Sequence, residues 1–195
     1  MKDIFTIPDD QMIISVQELK EKGLSYYKIN QLVSQGIIKK LNKRFYENAT
    51  FKGEESDFYY ANAFVPNGVV CLLSAAVFYN LSTYRPDAID VAISRKSKVS
   101  SLPDWPELKV CYFTNDRFNV GISTVKNGKN QFRIYDIEKT VVDIVFYREK
   151  VGIEETKEVL TKYLQRSDRN LNRLIQYAEK LKCGDAIKRY LEVLV

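Results

Sequence analysis

The sequence predicts an α+β fold in two parts: a small helix-and-hairpin module over residues 1–53, then a larger mixed α/β domain over 54–195 with a small sheet and C-terminal helices. Three observations predict it. Two glycine-ended helical runs and a basic hairpin pattern fill residues 15–46, β-formers alternate through residues 88–135, and from Asp136 the apolar spacing becomes helical.

Ser15 caps a short helix through VQELKEK, with Glu18 completing a capping box, and Gly23 ends it. Ser25 opens a second helix that closes at Gly36, the position favoured for a left-handed cap. Around Asn42-Lys43, IIKKL and RFYEN then read as two strands of a hairpin. Only fourteen residues precede Ser15, and they include Pro8 beside two aspartates, so the first helix of an ordinary winged module is hard to find and is expected to be shortened. The polar, acidic run NATFKGEESDFYY suits a linker or the first turn of the next module, which places the boundary at residue 53.

Beyond it, VVCLLSAAVFYN reads as a helix buried on most sides. AIDVAIS, LKVCYFT and NVGISTVKNGKNQFRIYD read as strands, with Asn127-Gly128 inside a hairpin signal. A helix from Asp136 gathers Ile137, Val141, Ile144 and Val145, and further helices follow Gly152, Ser167 and Gly184, the last carrying Ile187, Tyr190, Leu191 and Leu194. No internal repeat and no low-complexity tract interrupts the pattern.

A chain of 195 residues with 45% hydrophobic content is long and apolar enough for packed cores. No apolar run reaches the roughly 20 residues of a membrane helix, and the start MKDIFTIPDDQ lacks a secretory layout, so the expected location is cytoplasmic, away from membranes. Histidine is absent, which removes the commonest general base, the usual zinc nitrogen ligand and the Ser-His and Cys-His nucleophile pairs. The expectation is a protein without catalytic activity, metal or cofactor. Cys71 and Cys111 lie in apolar strings and read as core thiols, whereas Cys183, beside Gly184, reads as partly exposed. A nuclease reading of Asp104, Glu107 and Lys109 in PDWPELK fails because the acids are three apart in a proline-broken loop, and Asp87, Asp90, Asp136 and Asp143 read as turn and cap residues.

The net charge is +5, but its distribution says more. Nine basic residues stand against six acidic ones in 1–53, ten against eleven in 54–147 and eleven against eight in 148–195, so the two ends are basic. Within 20–45, Lys20, Lys22, Lys28, Lys39, Lys40, Lys43 and Arg44 face only Glu21, which points to a polyanionic partner. On the second helix Ile29, Leu32, Val33 and Gly36 share one face, and Tyr27, Gln31 and Ser34 the other. Helix, tight turn, helix and basic hairpin in succession form the pattern of a winged helix-turn-helix. There the N-terminal residues of the second helix, Ser25, Tyr26, Tyr27, Lys28 and Gln31, reach base edges and phosphate, and Lys39, Lys40, Lys43 and Arg44 on the wing line the flanking backbone. A candidate second basic surface comprises Arg95, Lys96 and Lys98 in SRKSK, which an exposed loop explains equally well, and Arg166, Arg169 and Arg173, spaced for one side of a helix.

With these residues in place, the whole chain resembles the AbiEi family of bacterial antitoxins. GLSYYKINQLVSQGIIKKLNKRFYEN is similar to that family's winged helix-turn-helix, and GVVCLLSAAVFYNLSTYRPDAIDVAIS to its buried Cys-Leu-Leu-Ser-Ala helix followed by Leu-[ST]-Thr, proline and strand. RIYDIEKTVVDIVFYREKVG is similar to the family's helix segment, through Tyr135, Lys139, Thr140, Asp143, Arg148 and Gly152. Two positions depart from it: Arg44 stands where the wing tip has glycine, and Tyr79 where histidine is common. The resemblance implies an antitoxin of a type IV toxin-antitoxin, abortive phage infection system that also represses its own operon. It implies binding to inverted repeats in double-stranded promoter DNA, as a monomer in solution with two molecules on DNA. The functional partner implied is a nucleotidyltransferase toxin of the AbiEii type, with no direct binding required. The alternative is a stand-alone winged-helix transcriptional regulator without a toxin partner.

Overall fold

Strand pairing begins where the sequence predicted no element. The computed structural model describes residues 7–99 and 101–194, apart from the side chains of residues 193 and 194, so the reading of the first six residues and of Leu194 lies outside it. Strand β1 (Ile13–Ser15) runs directly into α1 (Val16–Glu21). The capping box is formed, with Glu18 N donating to Ser15 Oγ at 3.1 Å and Ser15 N to Glu18 Oε2 at 2.7 Å. Helix α2 (Tyr26–Ser34) is capped by Ser25 and ends at Gly36, whose φ of 71° is the left-handed conformation that glycine adopts without strain. Strands β2 (Ile38–Lys40) and β3 (Phe45–Asn48) complete an antiparallel sheet of order β1-β3-β2. Ile14, Leu19, Leu24, Ile29, Ile38 and Tyr46 form the core beneath it, with Leu32 and Val33 half-buried at its margin.

Helix α3 (Phe58–Phe64) follows, then β4 (Val69–Val70) and α4 (Leu72–Phe78). The apolar run expected to be one helix is therefore split. Its two valines are a strand in the middle of a sheet, because a β-branched pair fits between Ile134 and Val91, and a short apolar run does not by itself distinguish strand from helix. The helical remainder is buried on two sides, as expected: Ala75 packs with the sheet and Leu73 and Ala76 with the C-terminal helices.

Strands β5 (Ile89–Ser94) and β6 (Leu108–Phe113), a one-turn helix α5 (Asn115–Phe118), and the hairpin β7 (Ile122–Asn127) and β8 (Asn130–Tyr135) complete a mixed five-stranded sheet of order β6-β5-β4-β8-β7. β5 and β6 are parallel, as are β4 and β8. The hairpin turn is centred on Gly128 and Lys129, one residue beyond the Asn-Gly signal, with Gly128 at φ 58°. One sheet face carries Val70, Val91 and Ile134 against Tyr59 and Tyr60 of α3, and the other carries Val69, Ala92 and Tyr135.

Helices α6 (Ile137–Phe146), α7 (Arg148–Val151), α8 (Ile153–Gln165), α9 (Leu171–Lys180) and α10 (Gly184–Leu194) form the last layer, with Val141, Ile144 and Val145 of α6 fully buried among them. Asp136 caps α6 as predicted. Asp143 does not sit in a turn or cap: it has no exposed surface, and it accepts hydrogen bonds from Lys139 Nζ and from Arg117 Nη1, the latter at 2.6 Å. Cys183 is buried rather than partly exposed, because the residues at the start of α10 fold it under α6, where its Sγ lies 3.8 Å from Val142 O.

The two parts of the chain are fastened together. Buried Asn130 accepts from Met12 N at 2.7 Å and donates to Asp10 O at 3.0 Å, and Lys129 pairs with Asp10 at 3.1 Å. Asn42 at the tip of the first hairpin donates to Ala63 O of α3 at 3.0 Å.

Candidate nucleic-acid interface

The first turns of α2 are an open polar surface. Burying Ile29 beneath the helix turns Ser25, Tyr26, Tyr27, Lys28 and Gln31 outward, and all five are exposed. Tyr27 is 78% exposed and Tyr26 60%, an unusual display for large rings. The Lys20 ammonium lies 3.9 Å from the centroid of the Tyr26 ring, so α1 supplies a cation that props this tyrosine against the surface. Ser25 Oγ accepts from Lys28 N at 3.4 Å, which makes this serine the helix cap. The side chains of Tyr27, Lys28 and Gln31 have no protein partner among the described residues. Helix α2 contains no carboxylate, and Tyr26 and Tyr27 belong to its first turn, where the helix N-terminus carries partial positive charge.

Lys39, Lys40, Lys43 and Arg44 are all exposed on the β2–β3 hairpin, with differing surroundings. Lys39 is directly across from Glu47 in the antiparallel register, and their charges are 4.0 Å apart. Lys40 is on the opposite side of the strand from Lys39. Lys40, Lys43 and Arg44 form no ion pair among the described residues. The tip turns without a left-handed residue at Arg44: Asn42 Oδ1 accepts from Arg44 N at 2.8 Å and Phe45 N at 3.0 Å, so a side chain does the folding that glycine would otherwise allow. Asn42 therefore positions the tip cations, a role the sequence hints at only through the turn preference of asparagine.

The other basic residues divide. Arg95, Lys96 and Lys98 are exposed in the loop after β5. Arg166, Arg169 and Arg173 do not form a helical stripe, because α8 ends at Gln165 and α9 begins at Leu171; the first two lie in the connection. Arg166 makes two 2.8 Å bonds to Asp168 and one of 2.9 Å to Tyr79 O, and the pairing with Asp168 raises its already high pKa. Arg169 donates to Arg166 O at 2.8 Å, and Arg173 lies 3.6 Å from buried Glu138. Arg166 and Arg169 are tied into the connection between α8 and α9, and Arg173 turns from α9 to Glu138 of α6, so the three share no common face.

Among the described residues no group of three or more carboxylates or thiols is placed to hold a metal ion, and no helix is long and apolar enough to cross a membrane. Asp104 and Glu107 are exposed, and Lys109 turns instead to Asp90 at 3.8 Å.

The segments that carry the family resemblance are held by internal polar contacts. Ser82 Oγ and Thr83 Oγ1 both donate to Glu158 of α8 at 2.8 Å, and Lys162 pairs with the same carboxylate at 2.8 Å. Tyr135 donates to Phe118 O at 2.8 Å, and Thr140 to Asp136 O at 2.8 Å. Gly152 has φ 119°, and a Cβ there would meet the Glu155 carboxylate at 1.9 Å.

No protein-family model matches the sequence, and no curated protein matches it. Three solved chains are similar in structure. One of them, the crystal structure of RV2827C protein from Mycobacterium tuberculosis, is 14% identical, with a TM-score of 0.48 over 94% of this chain and 76% of that one.

Proposed function

We propose that residues 1–53 are a winged helix-turn-helix that binds duplex DNA, and that the chain is the antitoxin and autorepressor of a type IV toxin-antitoxin system. The observation that supports the DNA reading most is the acid-free, exposed start of α2, where Tyr27, Lys28 and Gln31 have no protein partner among the described residues and Tyr26 is braced by Lys20. In this reading α2 lies in the major groove. Gln31 is the group suited to bidentate contact with adenine, Lys28 and the tyrosine hydroxyls reach guanine or phosphate, and the helix N-terminus favours an approaching phosphate. Lys40, Lys43 and Arg44 run along the neighbouring backbone, where they supply affinity without sequence preference. The antitoxin part rests on the resemblance in sequence, as do the inverted repeats, the two bound molecules and the nucleotidyltransferase toxin opposed.

Fluorescence anisotropy on promoter DNA over a range of salt tests the interface. Replacing Lys40, Lys43 and Arg44 by alanine is expected to weaken binding to all sequences alike and to lower the salt slope by about 0.9 for each phosphate left without its cation. Gln31→Ala is expected to change which sequences are preferred, by about 1–3 kcal/mol at one base pair. Both variants footprinting as the parent does would refute the placement of helix and wing. Co-expression with a nucleotidyltransferase toxin tests the antitoxin role, and repression without protection from it would identify a stand-alone regulator.

A further inference from the structure

A cavity of about 360 Å³ lies between the outer strand β6 and helix α7, on the side of the molecule's five-stranded sheet that faces α6 and α7. Its size falls within the range of small-molecule sites. Leu72, Phe113, Tyr147 and Val151 provide apolar walls from four separate elements or their junctions. Leu72 has φ 47°, a left-handed conformation that costs a branched side chain energy and that accumulates at ligand sites.

The polar groups converge with a definite sign. Asp90 is 5% exposed and already engaged: Lys109 lies 3.8 Å away, Cys111 Sγ is 3.9 Å from its carboxylate, and Ser74 Oγ accepts from its backbone N–H at 2.9 Å. It has no need of a further cation. Lys150 has an aromatic neighbour, Tyr147, at 6.0 Å but no carboxylate partner among the described residues, and Lys109 is 71% exposed on its side chain. With Asp90 set against Lys109, the lining carries a net single positive charge, that of Lys150, and the exposed Lys109 ammonium can be shared between Asp90 and a bound anion. From this geometry we infer that the cavity is a binding site for a small amphipathic anion, with its apolar body against Leu72, Phe113 and Val151 and its carboxylate between Lys109 and Lys150.

Cys111 lines the same cavity and reports on it, because Cys71 and Cys183 are buried and Cys111 is only half-buried. The full chain is treated with two methanethiosulfonates, one carrying a sulfonate and one a trimethylammonium group, and followed by intact mass. The Cys111 thiolate attacks the sulfenyl sulfur, forms a mixed disulfide and expels methanesulfinate, so one adduct marks one reaction. At low salt the anionic reagent is expected to react about tenfold faster than the cationic one, relative to the same two reagents on a free small thiol. Lys109→Gln with Lys150→Gln is expected to abolish that preference, and Cys111→Ser to abolish the fast adduct. Octanoate is expected to slow labelling in the parent, and octylammonium to leave it unchanged. Equal relative rates for the two reagents, protection by octylammonium as strong as by octanoate, or octanoate protection that survives removal of both lysines would each overturn the assignment.

Discussion

Asp143 is a carboxylate without solvent contact, held between an ammonium and a guanidinium, and it shows what single residues do in this chain. Burial pushes its pKa up and that of Lys139 down; their mutual attraction opposes both changes, and Arg117 opposes the first. Arg117 also donates to Leu181 O at 2.8 Å and lies over the Phe146 ring, so three segments meet on this guanidinium. Asp143→Ala would leave two buried cations uncompensated and is expected to lower stability by about 3–5 kcal/mol in urea unfolding. Glu158 is the complementary case. Lys162 holds its carboxyl at about 2, helped by Ser82 and Thr83 and opposed in part by burial. A carboxyl depressed from its ordinary 4.5 to about 2 stabilises the fold above 4.5 and loses that contribution as pH falls towards 2. Glu158→Gln is therefore expected to unfold at lower urea than the parent near neutral pH, with the gap closing between pH 4.5 and 2. The sequence showed Ser82, Thr83, Lys139 and Asp143 as parts of a resemblance, but not their partners, because Glu158 lies 75 residues from Thr83 and Arg117 lies 26 from Asp143.

Elements were legible in proportion to how locally they are determined. Ser15 with Glu18, Ser25 and Gly36 mark helix ends through bonds to residues close by in sequence, and the helices begin and stop near where these residues predict. Strands β1 and β4, of three and two residues, owe their existence to partners far along the chain; their Ile and Val residues favour a strand, but runs so short do not declare one. The arginines at 166, 169 and 173 misled for a related reason: a spacing of three and four implies a helical face only if the helix continues, and Asn170 starts a new one by accepting from Arg173 N at 2.9 Å. The β2–β3 hairpin offers the sharpest test at this scale. Asn42→Ala removes the acceptor for two backbone amides at the tip and is expected to reduce stability by about 1–2 kcal/mol, and DNA affinity more than this destabilisation explains, as measured by thermal unfolding and anisotropy on the same variant.

For the molecule as a whole, the mixed α+β class and the succession of strands and then helices could be read from changes of hydrophobic period. The sheet order β6-β5-β4-β8-β7 could not, since the parallel pairing of Val70 with Ile134 leaves no mark on either segment. The attachment between the parts was equally hidden: residues 48–60 read as a linker or the first turn of the next module, which Phe58–Tyr60 are, and nothing in them shows that Asn130 reaches across to Asp10 and Met12. Asn130→Ala strands the buried Met12 amide and is expected to cost about 1–3 kcal/mol. Hydrogen exchange should quicken in Ile13–Ser15 and Phe45–Asn48 while the amides of Ile137–Phe146 stay protected; equal acceleration everywhere would mean that the two parts open as one.

Two amides, Asn42 and Asn130, grip the smaller part at separate points. A body clamped twice cannot swivel as one on a tether does. Any pull on the hairpin tip is thus passed through Asn42 straight to helix α3, and the small module transmits load as a rigid bracket.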